Sequence, residues 1–145
     1  MLKKKRILIV DDDKSLLESL TKILQVEGYD IDTAETGREA IEKSKTQFYN
    51  LALLDIKLPD IDGTELLKLI NDHIPRTSKI IITGYPSTEN AIKSLNLEAD
   101  AYFTKPIDPE KLVETVRKKL KKQEEEDNMT EEKVGKWIET RAQKL

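Results

Sequence analysis

Short apolar runs alternate along this chain with stretches whose apolar residues recur at helical spacing. Ile7-Leu8-Ile9-Val10 is continuously apolar, as a strand covered on both faces requires. Leu16, Leu17, Leu20, Ile23 and Leu24 then recur at helical spacing, and Gly28 stands where a helix C′ residue belongs. Tyr29, Ile31 and Thr33 alternate as a second strand, and Thr36 with Glu39 forms a capping box for a second helix through Ala40 and Ile41. Leu51-Ala52-Leu53-Leu54 predicts a third buried strand ending at Asp55. The turn segment Leu58-Pro59-Asp60-Ile61-Asp62-Gly63 precedes a third helix carrying Leu66, Leu67 and Ile70. Ile80-Ile81-Ile82 predicts a fourth strand stopping at Thr83-Gly84, and Ser87 caps a fourth helix with Ala91, Ile92 and Leu95 inward. Ala101-Tyr102-Phe103-Thr104 predicts a fifth strand. Asp108-Pro109-Glu110 opens a fifth helix with a capping acid, a proline at the first helical position and a dipole-complementing glutamate. Its buried stripe is Leu112, Val113, Val116 and Leu120.

Five strands alternating with five helices imply an α/β fold: a doubly wound parallel sheet, helices on both faces, right-handed crossovers. Periodicity does not set the strand order. The folded unit is expected over residues 5–122. The charge run from Lys118 to Asp127 reads as a solvated helix extension or a linker. From Thr130 onward Val134, Trp137, Ile138, Ala142 and Leu145 share one side of an amphipathic C-terminal helix, which Gly135 and its short length weaken. Residues 123–145 are thus read as a charged linker and a helical extension.

Composition narrows the chemistry. The 145 residues are 37% hydrophobic and 37% charged, too apolar for wholesale disorder. With no Cys and a single histidine, His73, disulfides, thiolate zinc sites, iron–sulfur clusters and multi-histidine metal sites are excluded. A net charge of −3 gives no overall pull toward nucleic acid. The basic start, Lys3-Lys4-Lys5-Arg6, is followed by an apolar run too short for a signal peptide, and no stretch approaches a membrane span. A cytoplasmic protein with no membrane contact is expected.

The polar residues that interrupt the apolar runs carry the functional information. Asp11 and Asp12 follow the first strand, Asp55 ends the third, Thr83 ends the fourth and Lys105 follows the fifth. In an open parallel sheet all of these lie at the carboxyl edge, where ligands bind. Three carboxylates held close repel one another unless a cation intervenes. An all-oxygen cluster suits a hard cation, Mg²⁺ best. Such an ion keeps Asp55 ionised, Thr83 can donate to a phosphoryl oxygen and Lys105 can neutralise another, which are the parts phosphoryl transfer needs. Each residue also has an ordinary structural use: Asp11 to Asp13 as helix caps, Asp55 as a strand end, Thr83 as a turn residue, Lys105 as a loop lysine. The coincidence of four consecutive strand ends is what points to a site.

On Val10-Asp11-Asp12-Asp13, Asp55-Ile56-Lys57-Leu58-Pro59, Asp62-Gly63, Thr83-Gly84 and Tyr102-Phe103-Thr104-Lys105-Pro106, the chain resembles the receiver domain of two-component response regulators, the family of the chemotaxis response regulator. The resemblance implies a flavodoxin-like strand order, 2-1-3-4-5, and a phosphorylation-activated switch. It implies that Asp55 accepts a phosphoryl group from a histidine kinase or a histidine phosphotransfer protein. Asp12 and Asp55 would bind Mg²⁺ directly, Asp11 through water, and Lys57 through its backbone carbonyl. Thr83 would be the switch hydroxyl, Lys105 the phosphate-pairing lysine, and Tyr102 the aromatic that turns inward to report to a downstream output protein or domain. Beyond its own phosphorylation and dephosphorylation no enzymatic activity is implied. A cis peptide is implied at Lys105–Pro106.

Two positions depart from the family pattern. Leu58 replaces a common Met, and Glu98-Ala99 stands where Gly-Ala is usual, leaving the end of the fourth helix open to a different shape. Beside the site, small Gly84 leaves room for a phosphoryl group, while Tyr85 and Lys57 restrict an attacking water; a long-lived phosphoryl state is expected. The tail stripe with Trp137 is compatible with packing on the domain, with partner binding or with pairing of two copies. A competing reading takes Asp11-x-Asp13-x-Ser15 as the opening motif of a haloacid-dehalogenase-type phosphatase with Asp11 as nucleophile. No acidic pair follows the fourth strand to complete that site.

Overall fold

The structure, a computed structural model, describes residues 4–70, 76–84, 87–96 and 98–143. His73, Tyr85 and Leu145, and the side chains of Leu95 and Ala142, lie outside what is described. Strands β1 (Arg6–Val10), β2 (Asp30–Ala34), β3 (Leu51–Asp55), β4 (Ser78–Thr83) and β5 (Ala101–Thr104) alternate with helices α1 (Lys14–Val26), α2 (Gly37–Thr46), α3 (Gly63–Leu69), α4 (Thr88–Asn96) and α5 (Pro109–Gln143). The five strands form one parallel sheet in the order β2-β1-β3-β4-β5, which sets β1 and β3 side by side.

The continuous apolar runs exist because both sheet faces are covered. Along β1, Ile7 and Ile9 join a core with Leu17, Leu24 and Val116 on the α1/α5 side, while Leu8 and Val10 join a second core with Ala40, Leu66 and Ile70 on the other. The same alternation divides Leu51 and Leu53 from Ala52 and Leu54 on β3. Each fully buried Leu or Ile contributes about 1.5–3 kcal/mol of apolar burial, so the central strands are the rigid platform from which the polar strand ends project.

Local signals end the elements where the sequence places them. Gly28 takes φ +96° after α1, a conformation open to glycine. Asp13 caps α1 by accepting from the Leu16 amide at 3.2 Å, and Thr36 caps α2 by accepting from the Glu39 amide at 3.1 Å. At α5 the Asp108 carboxylate accepts from the Glu110 amide at 3.0 Å.

Three features differ from the sequence reading. Ile92, expected inward, is 54% exposed, because α4 turns its Ala91 side toward the protein. Glu98 itself adopts φ +66°, so the turn after α4 takes the left-handed conformation without a glycine. The Arg76 guanidinium braces it, donating to the Glu98 carbonyl at 2.6 Å and to both Asp100 carboxylate oxygens at 3.1 Å. Finally, the charge run beyond Lys118 introduces no break: α5 continues as one helix to Gln143. Where it leaves the sheet, buried Gln123 shares its two amide N–H groups among the carbonyls of Asn50 and Arg76, at 2.8 and 2.7 Å, and the Ser78 hydroxyl at 3.2 Å.

Candidate functional site

The carboxyl ends of β1, β3, β4 and β5 open on a cleft of about 950 Å³, lined by Asp12, Asp55, Lys57, Asp62, Gly84 and Lys105 among others. Asp11 and Thr83 are buried. All the polar strand-end residues singled out in the sequence are therefore gathered at one edge of the sheet.

Asp55 sits at the last position of β3, 4% exposed. One of its oxygens accepts from the Lys57 amide at 3.1 Å and the other from the Lys105 ammonium at 3.3 Å. Lys105 also contacts Asp11 at 2.8 Å, so a single ammonium bridges two buried carboxylates. Asp11 accepts in addition from the Asp13 amide at 2.9 Å, which folds the aspartate run back on itself. Asp12 points to solvent.

The electrostatics follow from this crowding. Burial, then the charge of Asp11, raise the Asp55 pKa, against the opposing pull of the Lys57 amide and Lys105. For Lys105, burial works against the charged form, but the hydrogen bond and charge of Asp11 with the charge of Asp55 outweigh it and raise its pKa. A further cation beside Asp55 would favour its ionised form. One carboxylate oxygen from each of Asp11, Asp12 and Asp55 lies within 4.8 Å of the others. Three hard oxygen donors at that spacing, with no sulfur or imidazole among them, fit Mg²⁺.

The loop between β3 and α3 is built to hold this geometry. Gly63 lies so close to the Asp55 backbone that a Cβ there would come within 2.2 Å of the Asp55 carbonyl oxygen and 2.6 Å of the Ile56 Cα. Its amide donates to the Ile56 carbonyl at 2.7 Å, and Asp62 caps α3 through the Thr64 amide at 2.9 Å. Asp60 reaches across to the start of α2, accepting from the Gly37 and Arg38 amides at 2.8 and 2.9 Å; these bonds hold its carboxyl below the usual range. The sequence reading placed Asp60 only in a turn. Its tie to α2 spans 23 residues, and no local pattern signals it.

On β5, Tyr102 packs against the second core, and its hydroxyl is shut from water with no hydrogen-bond partner among the described residues. The Lys105–Pro106 peptide is cis, and the Lys105 amide donates to the Thr83 carbonyl at 2.8 Å. Gly84 leaves Lys105 unobstructed, its nearest atom 3.6 Å from where a Cβ would stand. Tyr85, expected with Lys57 to restrict an attacking water, lies outside the described residues.

Comparison with known proteins gives the same outline. A solved receiver domain protein from Methanospirillum hungatei JF-1, described as CheY-like, superposes with a TM-score of 0.82 at 50% identity over 86% of this chain and 99% of that one. DrrB of Thermotoga maritima, an OmpR/PhoB homolog, superposes at 0.75 with 30% identity over 83% of this chain and 54% of its own. The response regulator ArlR of Staphylococcus aureus is 35% identical over 122 residues, 84% of this chain and 55% of that protein. The chain thus spans about half the length of the curated relatives it matches. These likenesses do not support the phosphatase reading of Asp11. No helix among the described residues is long and apolar enough to cross a membrane. The family model for the response regulator receiver domain matches residues 7–117, and the chain belongs to that family of phosphorylation-activated signalling switches.

Proposed function

We propose that Asp55 is the phosphoacceptor of this switch and that its donor is the phosphohistidine of a histidine kinase or a histidine phosphotransfer protein. An Asp55 carboxylate oxygen attacks phosphorus, the phosphorus–nitrogen bond breaks, and its electron pair returns to the imidazole, which takes up a proton. The observation that carries this reading is the Asp11, Asp12 and Asp55 oxygen cluster within 4.8 Å, beside a lysine bonded to two of its members.

Asp12, Asp55 and the Lys57 carbonyl are the direct Mg²⁺ ligands in this reading, with Asp11 acting through water. When bound, the ion offsets carboxylate repulsion and the charge of the incoming phosphoryl oxygens. Lys105 exchanges its contact with Asp55 for a phosphoryl oxygen, and Thr83 donates to another. The group brings about −1.5 to −2 charge and three strong acceptors where one carboxylate stood. Thr83 and Lys105 gain those partners only after transfer, so the phosphorylated arrangement is selectively favoured. Tyr102, paired with Ile81 two positions before Thr83 on β4, passes the change to the face made by α4, β5 and α5.

The protein's own chemistry is confined to its phosphorylation and dephosphorylation, in the cytoplasm and without direct nucleic-acid contact. Its output is a separate protein or a further domain. Residues 5–122 form the receiver unit, and residues 123–145 are its extension, carried on from α5 and anchored to the sheet at Gln123. Treatment with acetyl phosphate and Mg²⁺ is expected to add one phosphoryl group, mapped by peptide mass spectrometry to Asp55 and absent from Asp55→Asn. Labelling of Asp11 instead, or no uptake, overturns the reading.

A further inference from the structure

Beyond Gln123 the helix α5 leaves its own domain, and its buried stripe continues. A spacing of about five helical turns, roughly 18 residues, separates Val116 from Val134, Leu120 from Ile138 and Gln123 from Arg141. The residues that face the domain therefore have counterparts on the same helix face below it. Nothing among the described residues covers that lower face: Val134 is 52% exposed, Trp137 58% and Ile138 54%. Arg141 lies over the Trp137 ring, 4.5 Å from its centroid, which holds the guanidinium along the stripe.

Charge on this segment is divided by halves. Positions 124–132 carry six acids and no base, whereas positions 133–144 carry four bases and one acid. Two tails side by side in parallel would set acid against acid and base against base. They would also place both domains in the space before the shared stripe, because the stripe faces the helix's own domain. Antiparallel tails avoid both conflicts: acidic halves meet basic halves, and the domains lie at opposite ends. We infer that two copies of this chain pair through antiparallel tails along the Val134–Trp137–Ile138 stripe, with Val134 near the two-fold axis and Asp127 of each copy facing Arg141 of the other.

The full chain tests this directly. Sedimentation equilibrium is expected to show a concentration-dependent dimer. Emission from Trp137, the only tryptophan, should shift to the blue as the dimer forms. Arg141→Glu should weaken dimerisation by about tenfold, since two symmetric pairs turn from attraction to repulsion, and Asp127→Arg added to it should restore it. The chain has no cysteine, so single cysteines report orientation. An Asp127→Cys copy mixed with an Arg141→Cys copy should cross-link on oxidation, and Asp127→Cys alone should not. A monomer at every concentration, a dimer indifferent to Arg141→Glu, self-cross-linking of Asp127→Cys, or a Trp137 already shielded in the monomer each overturns the inference.

Discussion

Replacing Asp55 with asparagine should make the metal-free protein more stable at neutral pH, although it removes a buried contact with Lys105. Asparagine keeps an oxygen to accept from the Lys57 amide, which Asp55 engages at 3.1 Å. It removes a negative charge lying within 4.8 Å of the Asp11 oxygens. Two unit charges at that separation repel by about 1 kcal/mol in a water-like medium and about 3 kcal/mol at an effective dielectric of about 20. The 3.3 Å attraction to Lys105 is lost as well, but Lys105 keeps its closer partner Asp11 at 2.8 Å. Since burial and Asp11 together raise the Asp55 pKa despite Lys105, the ionised carboxylate is a net burden on the fold. A gain of about 1 kcal/mol is expected, a rise of about 2–4 °C in Tm for a chain of this size. The pH dependence has a fixed sign. A carboxyl whose pKa is raised by folding contributes its stability below the unfolded value, and that contribution is lost as pH rises through the folded value. The advantage of Asp55→Asn should therefore be absent near pH 3 and open as pH rises through the Asp55 titration. Millimolar Mg²⁺ should close the gap by stabilising the native protein more than the variant. Urea unfolding followed by circular dichroism, with and without chelator, measures all of this. A variant no more stable than the native protein in chelator at pH 7 would refute the account of the site's electrostatics.

Other substitutions probe the framework. Glu98→Gly should stabilise the protein by about 0.5–1 kcal/mol, the relief of a left-handed residue outweighing added chain entropy; thermal melts should show no such gain for Glu98→Ala. Gln123→Leu should cost about 1–3 kcal/mol in urea unfolding by leaving the Asn50 and Arg76 carbonyls without their buried donor. Gly63→Ala, whose Cβ would stand 2.2 Å from the Asp55 carbonyl oxygen, should cost about 1–3 kcal/mol and slow acetyl phosphate labelling without removing a functional group.

What the sequence disclosed was whatever local chemistry controls. The apolar runs of β1, β3 and β4 reveal a doubly covered sheet, and the polar residue ending each run reveals the cleft, because a strand end is both the last buried position and the first that ligands reach. The caps Asp13, Thr36 and Asp108 act within four residues and are legible for the same reason. Asp60 on the α2 N-terminus and Gln123 on the sheet base were hidden because their partners lie far along the chain. Ile92 misled because helical spacing gives a stripe but not the direction α4 turns it. Glu98 shows the limit of residue preference: Arg76 holds a glutamate in a conformation where glycine is the cheaper choice.

The unbroken course of α5 has a mechanical consequence. With 35 residues the helix is roughly 52 Å long, and Gln123 pins it near the middle. It begins only four residues after Lys105, so one arm starts beside the strand-end cleft and the other projects free of the sheet. A tilt of about 5° about the pin would swing Arg141, roughly 27 Å away, by about 2 Å. The rod thus turns a rotation too small to disturb the sheet into a displacement of about 2 Å at its far end.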